Sequence, residues 1–170
     1  MANSYLNHET GSTTTSSTRA TLSAWVKKTK IGANTCFFGH EESNSLRSAI
    51  YFTSSDYLLY FQNGNNIFQT NRVFRDPSAW YHIVVQWDLT QSTAADRVKL
   101  YVNGVQETSF STTNYPAQNA SDEVPNFGNQ TVGVNIYNSS PDLYFEGYIS
   151  HIAFVDGSVV APTVFGETDS

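Results

Sequence analysis

The sequence predicts an all-β chain folded as an antiparallel two-sheet sandwich, and three observations carry this. Apolar residues recur at every second position over short runs, the period of a pleated strand. Asn63-Gly64 and Asn103-Gly104 each interrupt such a run with the two residues that best tolerate the positive φ of a tight hairpin turn. No stretch repeats apolar residues at helical spacing, and Ser, Thr and Asn fill the polar positions where a helical protein carries Lys and Glu.

Taken in order, a short strand is expected over residues 4–8, then a Ser/Thr-rich loop over 11–18. Leu22, Ala24 and Val26 alternate with Thr21, Ser23 and Trp25 in the next strand. Residues 35–38 are short and apolar and close at Gly39. Residues 49–53 and 57–62 are aromatic-rich strands. In the second of these, Tyr57, Leu59 and Phe61 share one face and Leu58 and Tyr60 the other, so packing is expected on both sides. After Asn63-Gly64 the return strand covers 67–74, and Asp76-Pro77-Ser78 breaks the chain. Residues 80–87 give the strongest strand pattern, with Tyr81, Ile83, Val85 and Trp87 on one face and His82, Val84 and Gln86 opposite. Residues 98–102 lead into Asn103-Gly104. Residues 112–130 hold Pro116, Pro125 and several Asn and form the longest irregular stretch. A strand is expected over 131–137, a turn over 138–142 and a long final strand over 144–155, stopped by Asp156-Gly157. A short helical turn is expected over 158–165.

At 170 residues and 39% hydrophobic content the chain can bury one core, and it is read as a single domain over 1–170. The formal net charge of −6 repels a phosphate backbone. Lys27, Lys28 and Lys30 are the densest basic group, too small to reverse that repulsion, so nucleic acid is excluded as a partner. No apolar run approaches the ~20 residues that span a bilayer, so no membrane insertion is expected. The first residues lack the basic-then-apolar layout of a signal peptide, and synthesis in a cytoplasm without such export is expected. Cys36, the only cysteine, lies in an apolar run and reads as a buried, inert thiol.

Catalytic constellations are missing from the pattern. Glycan cleavage needs two carboxylates flanking the sugar bond. Glu41-Glu42 are adjacent and would point to opposite faces of a strand, and Asp122-Glu123 are adjacent in a loop. His8, His40, His82 and His151 have no nucleophile-elbow context, and four scattered His with one Cys give no zinc spacing. The chain is therefore read as a binding module and not an enzyme. Sugar sites need aromatic faces beside short polar side chains, and Tyr115, Tyr137 and Tyr144 with Asn135, Asn138 and Asp142 supply both as a candidate carbohydrate site. Phe127 and Asn114 lie near them in sequence. The same low-charge, Tyr- and Asn-rich surface also suits protein contact, including contact with copies of itself.

Four segments carry a family resemblance. Leu22-Ser23-Ala24-Trp25-Val26-Lys27 is similar to an early strand of laminin-G-like domains. Trp80-Tyr81-His82-Ile83-Val84-Val85-Gln86-Trp87-Asp88 resembles a central strand of that family, and Val98-Lys99-Leu100-Tyr101-Val102-Asn103-Gly104 the hairpin that follows it. Residues 145–157 look like its closing strand. The resemblance implies the concanavalin A-like jelly roll. The residues themselves read as core, with Trp80, Tyr81, Trp87, Tyr148, Ile152 and Phe154 between the sheets and a core role for Trp25 as well. The glucanases of that fold carry acids in an E-x-D-x-E pattern, which this sequence lacks. The family often holds a rim calcium, and Asp56, Asp122 and Asp142 with Asn135 or Asn138 are the candidate oxygen ligands. The version here resembles domains of phage and environmental viral structural proteins. That implies a virion location, with host-surface polysaccharide or other virion proteins as partners, or a purely structural capsid-decoration or tail-fibre role. The segment 165–169 resembles a point where such chains continue, so this domain reads as one excised from a longer chain.

Overall fold

The computed structural model describes residues 4–10, 15–43, 45–121, 124 and 128–166. Asp122, Glu123, Pro125, Phe127, part of the 11–18 loop and residues 167–169 lie outside the described residues. The strands are β1 (Leu6–Thr10), β2 (Arg19–Lys28), β3 (Thr35–Glu41), β4 (Arg47–Phe52), β5 (Tyr57–Gln62), β6 (Asn65–Val73) and β7 (Tyr81–Asp88). They continue as β8 (Val98–Val102), β9 (Val105–Glu107), β10 (Phe110–Thr113), β11 (Gly128–Val132), β12 (Asn135–Tyr137), β13 (Ser140–Asp142) and β14 (Gly147–Asp156). Two single 3₁₀ turns, Ala94–Asp96 and Pro162–Val164, are the helical elements among the described residues.

Seven strands form one sheet in the order β1-β11-β3-β4-β5-β6-β10, and five form the other in the order β14-β2-β7-β8-β9. All pairings are antiparallel. This is the expected jelly-roll sandwich. Both Asn-Gly hairpins form as read, with positive φ at Asn63 and Gly64 and at Asn103 and Gly104.

The core lies between the sheets. Ala20, Leu22, Ala24 and Val26 of β2 and Ile83, Val85 and Trp87 of β7 face Phe38, Ile50, Leu58, Tyr60 and Phe68 of the larger sheet. Trp87 donates its indole N–H to the Tyr60 hydroxyl at 3.0 Å, so its one polar atom is satisfied where it is buried. Phe38 stacks on Phe154 at 5.8 Å, joining β3 to β14 across the interior.

Several expectations change, among them the turn read over 138–142, whose residues Ser140–Asp142 form strand β13. The strand read over 131–137 is two strands, because Gly133 at φ 86 turns the chain out of the large sheet. The final strand starts at Gly147 and not at Tyr144. Gly39 does not close β3, which runs on to Glu41. Trp25, Trp80 and Tyr148 are not core residues: Trp25 is half-buried opposite His82 on the outer face of the five-stranded sheet, and Trp80 and Tyr148 are 40% and 61% exposed on the same side. Tyr148 pairs with Lys27, and both lie on the outer face.

Asp88, which ends β7, ties this sheet to the loop that follows it. It accepts from Arg19 at 3.1 Å, from the Thr90 hydroxyl at 2.6 Å and from Gln91 at 2.8 Å. Burial alone would raise its carboxyl, but these donors outweigh it and hold the group at about 2. The folded pKa lies below the ordinary carboxylate value of about 3.9. Its stabilisation is therefore complete above about pH 4 and is lost as pH falls through about 2, amounting to about 2 kcal/mol. Thermal melts of the Asp88→Asn variant and the parent should differ at pH 6 and converge toward pH 2.

Candidate functional site

After Gly133 the chain folds into a small β12–β13 hairpin laid over the outer face of the seven-stranded sheet. Asn135 pairs with Asp142 and Tyr137 with Ser140, and Asn138 and Ser139 make the turn with φ of 52 and 58. The Asn135 amide donates to the Asp142 carboxylate at 2.6 Å, clamping the base of the hairpin. Thr131 adds a hydroxyl bond to the Val134 carbonyl at 2.8 Å. The floor beneath is Gly39. A Cβ there would stand 2.6 Å from the Thr131 hydroxyl and 2.7 Å from the Val134 carbonyl, so a bare backbone is what lets the hairpin seat.

At the hairpin tip three side chains converge from three strands. The Arg47 guanidinium lies 4.1 Å from the Tyr137 ring centroid and 4.8 Å from that of Phe61. It is thus stacked on two aromatic rings. Glu41 pairs with Arg47 in the β3–β4 register and shares its face. No ion pair joins them, because the guanidinium turns to the rings. Glu41 is 7% exposed, and one of its carboxylate oxygens is buried with no hydrogen-bond partner. Thr35 and Ser48 also hold partnerless buried hydroxyls, but Glu41 is the one ionisable group in this position among the described residues. A buried carboxylate oxygen without a partner in the chain is costly unless water or a ligand hydroxyl supplies the donor.

Of the six residues read as a carbohydrate site, the structure brings four together. Asn135, Tyr137, Asn138 and Asp142 all belong to this hairpin. Asn135 is buried and spends its amide on Asp142, so it shapes the hairpin and does not face a ligand. Tyr144 lies past the hairpin, in a cleft of about 850 Å³ at one end of the sandwich with Lys30, Asn34, Glu146 and Tyr148, where Lys30 pairs with Glu146. Tyr115 is not part of the site. It follows β10, four strand spacings or about 19 Å across the sheet from β3, and packs against the core. Burial raises its phenol. Glu41, Arg47 and Phe61 were not singled out from the sequence as site residues. Their signal is the pairing of β3, β4 and β5, which no local pattern displays.

The calcium ligands expected from the family resemblance do not converge. Asp56 is consumed by Lys28 at 2.8 Å, the Gly32 N–H at 2.9 Å and Arg75 at 3.1 Å. Asp142 is engaged by Asn135, and Asp122 lies outside the described residues. No group of three His, Cys, Asp or Glu among the described residues is placed to hold a metal. The donor set therefore does not fit a calcium site there. Cys36 is fully buried under the hairpin base, and burial pushes its thiol up, out of thiolate chemistry.

Comparisons with known proteins agree with this architecture. No curated protein sequence matches the chain. Among solved structures, domain 4 of AbnA, an extracellular arabinanase from Geobacillus stearothermophilus in complex with arabinotriose, is similar with a TM-score of 0.61 at 22% identity. That likeness covers 88% of this chain and 66% of the other. A heptameric SAP-like pentraxin from Limulus polyphemus gives 0.57 at 16% identity over 80% of this chain and 63% of its own. The CBM40 of the Ruminococcus gnavus IT-sialidase gives 0.63 at 13% identity over 90% and 85%. The chain thus spans just under two thirds of the first two, and at these identities the likeness is one of fold. The family model of the concanavalin A-like lectin/glucanases superfamily matches residues 1–164. With its two antiparallel sheets and that match, the chain belongs to the concanavalin A-like lectin/glucanases superfamily.

Proposed function

We propose that this chain is a non-catalytic glycan-binding module whose site is the outer face of the seven-stranded sheet beside the β12–β13 hairpin. The observation that carries the reading is the buried, partnerless carboxylate oxygen of Glu41 next to Arg47, with Tyr137 and Phe61 stacked on the guanidinium. A sugar hydroxyl is the donor that Glu41 lacks. A neighbouring hydroxyl of the same ring can accept from Arg47, and the exposed Tyr137 ring offers an apolar face for C–H contact. Support comes from the similar fold of the arabinanase domain in complex with arabinotriose and of the CBM40 bound to α2,3-sialyllactose. Display on a virion, with attachment to host polysaccharide, is part of this proposal and rests on the resemblance of the four motifs.

A glycan array that includes bacterial surface polysaccharides tests the reading. Binding is expected to survive EDTA, because no metal site is built from the described residues. Tyr137→Ala should weaken it about tenfold, the loss of one stacking face. No binding by the parent protein on the whole panel would overturn the proposal in favour of a purely structural domain.

A further inference from the structure

We propose a second carbohydrate subsite on the opposite side of the sandwich, in the cavity of about 410 Å³ lined by Trp25, Trp80, Ser150, His151 and Phe165, which takes an uncharged sugar ring. The proposal rests on the reading of the chain as a glycan-binding module but uses none of the same residues.

The floor is Trp25, at an outward position of β2. Its ring lies flat against His82, with centroids 4.8 Å apart and 9° between the planes. His82 is itself anchored by a 2.9 Å bond between its Nε2 and the Ser23 hydroxyl. The indole is therefore held in one orientation before any ligand arrives, which removes part of the ordering cost of binding. Trp80, 40% exposed just before β7, supplies a second indole.

One wall comes from a bulge in β14. The register runs from Ser150 opposite Trp25 to Ala153 opposite Ser23, so one extra residue is inserted. His151 sits in that bulge at φ 48, an unusual conformation for a residue with a Cβ, and is exposed. Its Nδ1 is bonded to the Ser150 hydroxyl at 2.7 Å, and its Nε2 makes no hydrogen bond among the described residues.

The other wall is a strap. After Gly157 the chain crosses back over the five-stranded sheet. Thr21 donates to the Ser158 carbonyl at 2.9 Å and accepts from the Val160 N–H at 2.9 Å, and Gln86 donates to the Val160 carbonyl at 2.7 Å. The 3₁₀ turn Pro162–Val164 then sets Phe165 into the cavity and brings Gly166 against the Trp25 ring. Without the strap this would be a flat sheet face. With it the face becomes a concavity within the roughly 300–1,000 Å³ typical of small-molecule sites.

The lining selects the ligand class. Two indole N–H groups make no hydrogen bond among the described residues, and a hydroxyl and an imidazole stand beside them. None of the described lining residues carries a fixed charge, so an ionic ligand would lose its hydration without gaining a partner. A ring with apolar C–H faces and hydroxyls around its edge matches aromatic walls with donors at their margins.

The three tryptophans make the test direct. Trp25 and Trp80 line the cavity, while Trp87 is buried with its N–H on Tyr60 and serves as an internal reference. Indole ¹⁵N–¹H signals are followed while arabinotriose, xylotetraose, cellotetraose and maltotetraose are added to about 10 mM, above a millimolar Kd. α2,3-Sialyllactose and tetramethylammonium serve as charged probes. At least one neutral sugar should move the Trp25 and Trp80 signals and leave Trp87 still. Trp80→Ala should abolish the Trp25 shift with an unchanged melting temperature, Trp80→Phe should restore it, and Tyr137→Ala should leave it intact. The subsite is overturned if no neutral sugar moves the two indoles, if tetramethylammonium moves them at lower concentration, or if Tyr137→Ala removes the shift. Glycan binding that is sensitive to Tyr137 with silent indoles would sink the subsite and leave the proposed function standing. Indole shifts with no loss in the Tyr137 variant support the subsite even if the sheet-face site fails.

Discussion

Asp56→Ala is expected to cost the protein about 3–5 kcal/mol of stability, a large share of the roughly 5–15 kcal/mol that folded domains have. Lys28 is fully buried, and its ammonium is 2.8 Å from one Asp56 oxygen and 3.3 Å from the Phe74 carbonyl, over the Phe52 ring. The Asp56 carboxylate also receives the Gly32 N–H and Arg75. Burial would raise its pKa, but the hydrogen bonds from Lys28, Gly32 and Arg75 prevail and lower it. Truncating it leaves an ammonium in the core with one neutral acceptor, which is dearer than losing both charges. The pairing of Asp56→Ala with Lys28→Met should therefore recover a large part of the loss. Guanidinium denaturation of the four proteins in that cycle measures it. A single-variant cost under about 1 kcal/mol would mean that Lys28 escapes to solvent and the pair is a surface one.

Glu41→Met should move stability and binding in opposite directions. A buried carboxylate oxygen without a partner burdens the free protein, and a thioether of similar length removes that burden. The variant should be about 1–3 kcal/mol more stable in denaturant melts. The same change deletes the acceptor for a sugar hydroxyl, a hydrogen bond to a charged group worth about 1.5–3 kcal/mol, so affinity should fall about 10–100-fold. A stability gain bought with lost binding is the mark of a residue kept for a ligand. If Glu41→Met is instead destabilising, the carboxylate serves the fold and the sheet-face site loses its main support.

The two Asn-Gly hairpins and the alternation of β2, β5, β7 and β8 were legible in the sequence because turn chemistry and period-two patterning are local. Positive φ at Asn63 and Asn103 follows from two adjacent residues, and no distant contact can overrule it. The hairpin over the large sheet was half legible. Tyr137, Asn138 and Asp142 were read together, but the break at Gly133 was missed, although a glycine inside a strand pattern is a signal for one. Glu41 and Arg47 meet only through antiparallel register, and a sequence does not display its register. Trp80 has the parity of His82 and Val84, opposite Tyr81 and Trp87, so strict alternation already puts it on the outer face. Tyr148 has the parity of Ile152 and Phe154, and only the bulge between Ser150 and Ala153, which no local pattern displays, sends it to the other side. Here the strap gives the outer face apolar company of its own.

The neighbours β2 and β14 impose an order on how this molecule is made. Ala20 pairs with Asp156 and Lys28 with Gly147, so the second strand of the chain waits for the last before its free edge is covered. Until residue 156 has left the ribosome, β2 presents an unpaired ladder beside β7, the kind of template that recruits other chains. Closure across nearly the whole sequence also places the domain among slow folders, on a scale of about milliseconds to seconds. The last strand is therefore what ends a vulnerable interval in each molecule's synthesis, and fragments ending between Val132 and Gly147 should aggregate even though every residue of the seven-stranded sheet is present in them.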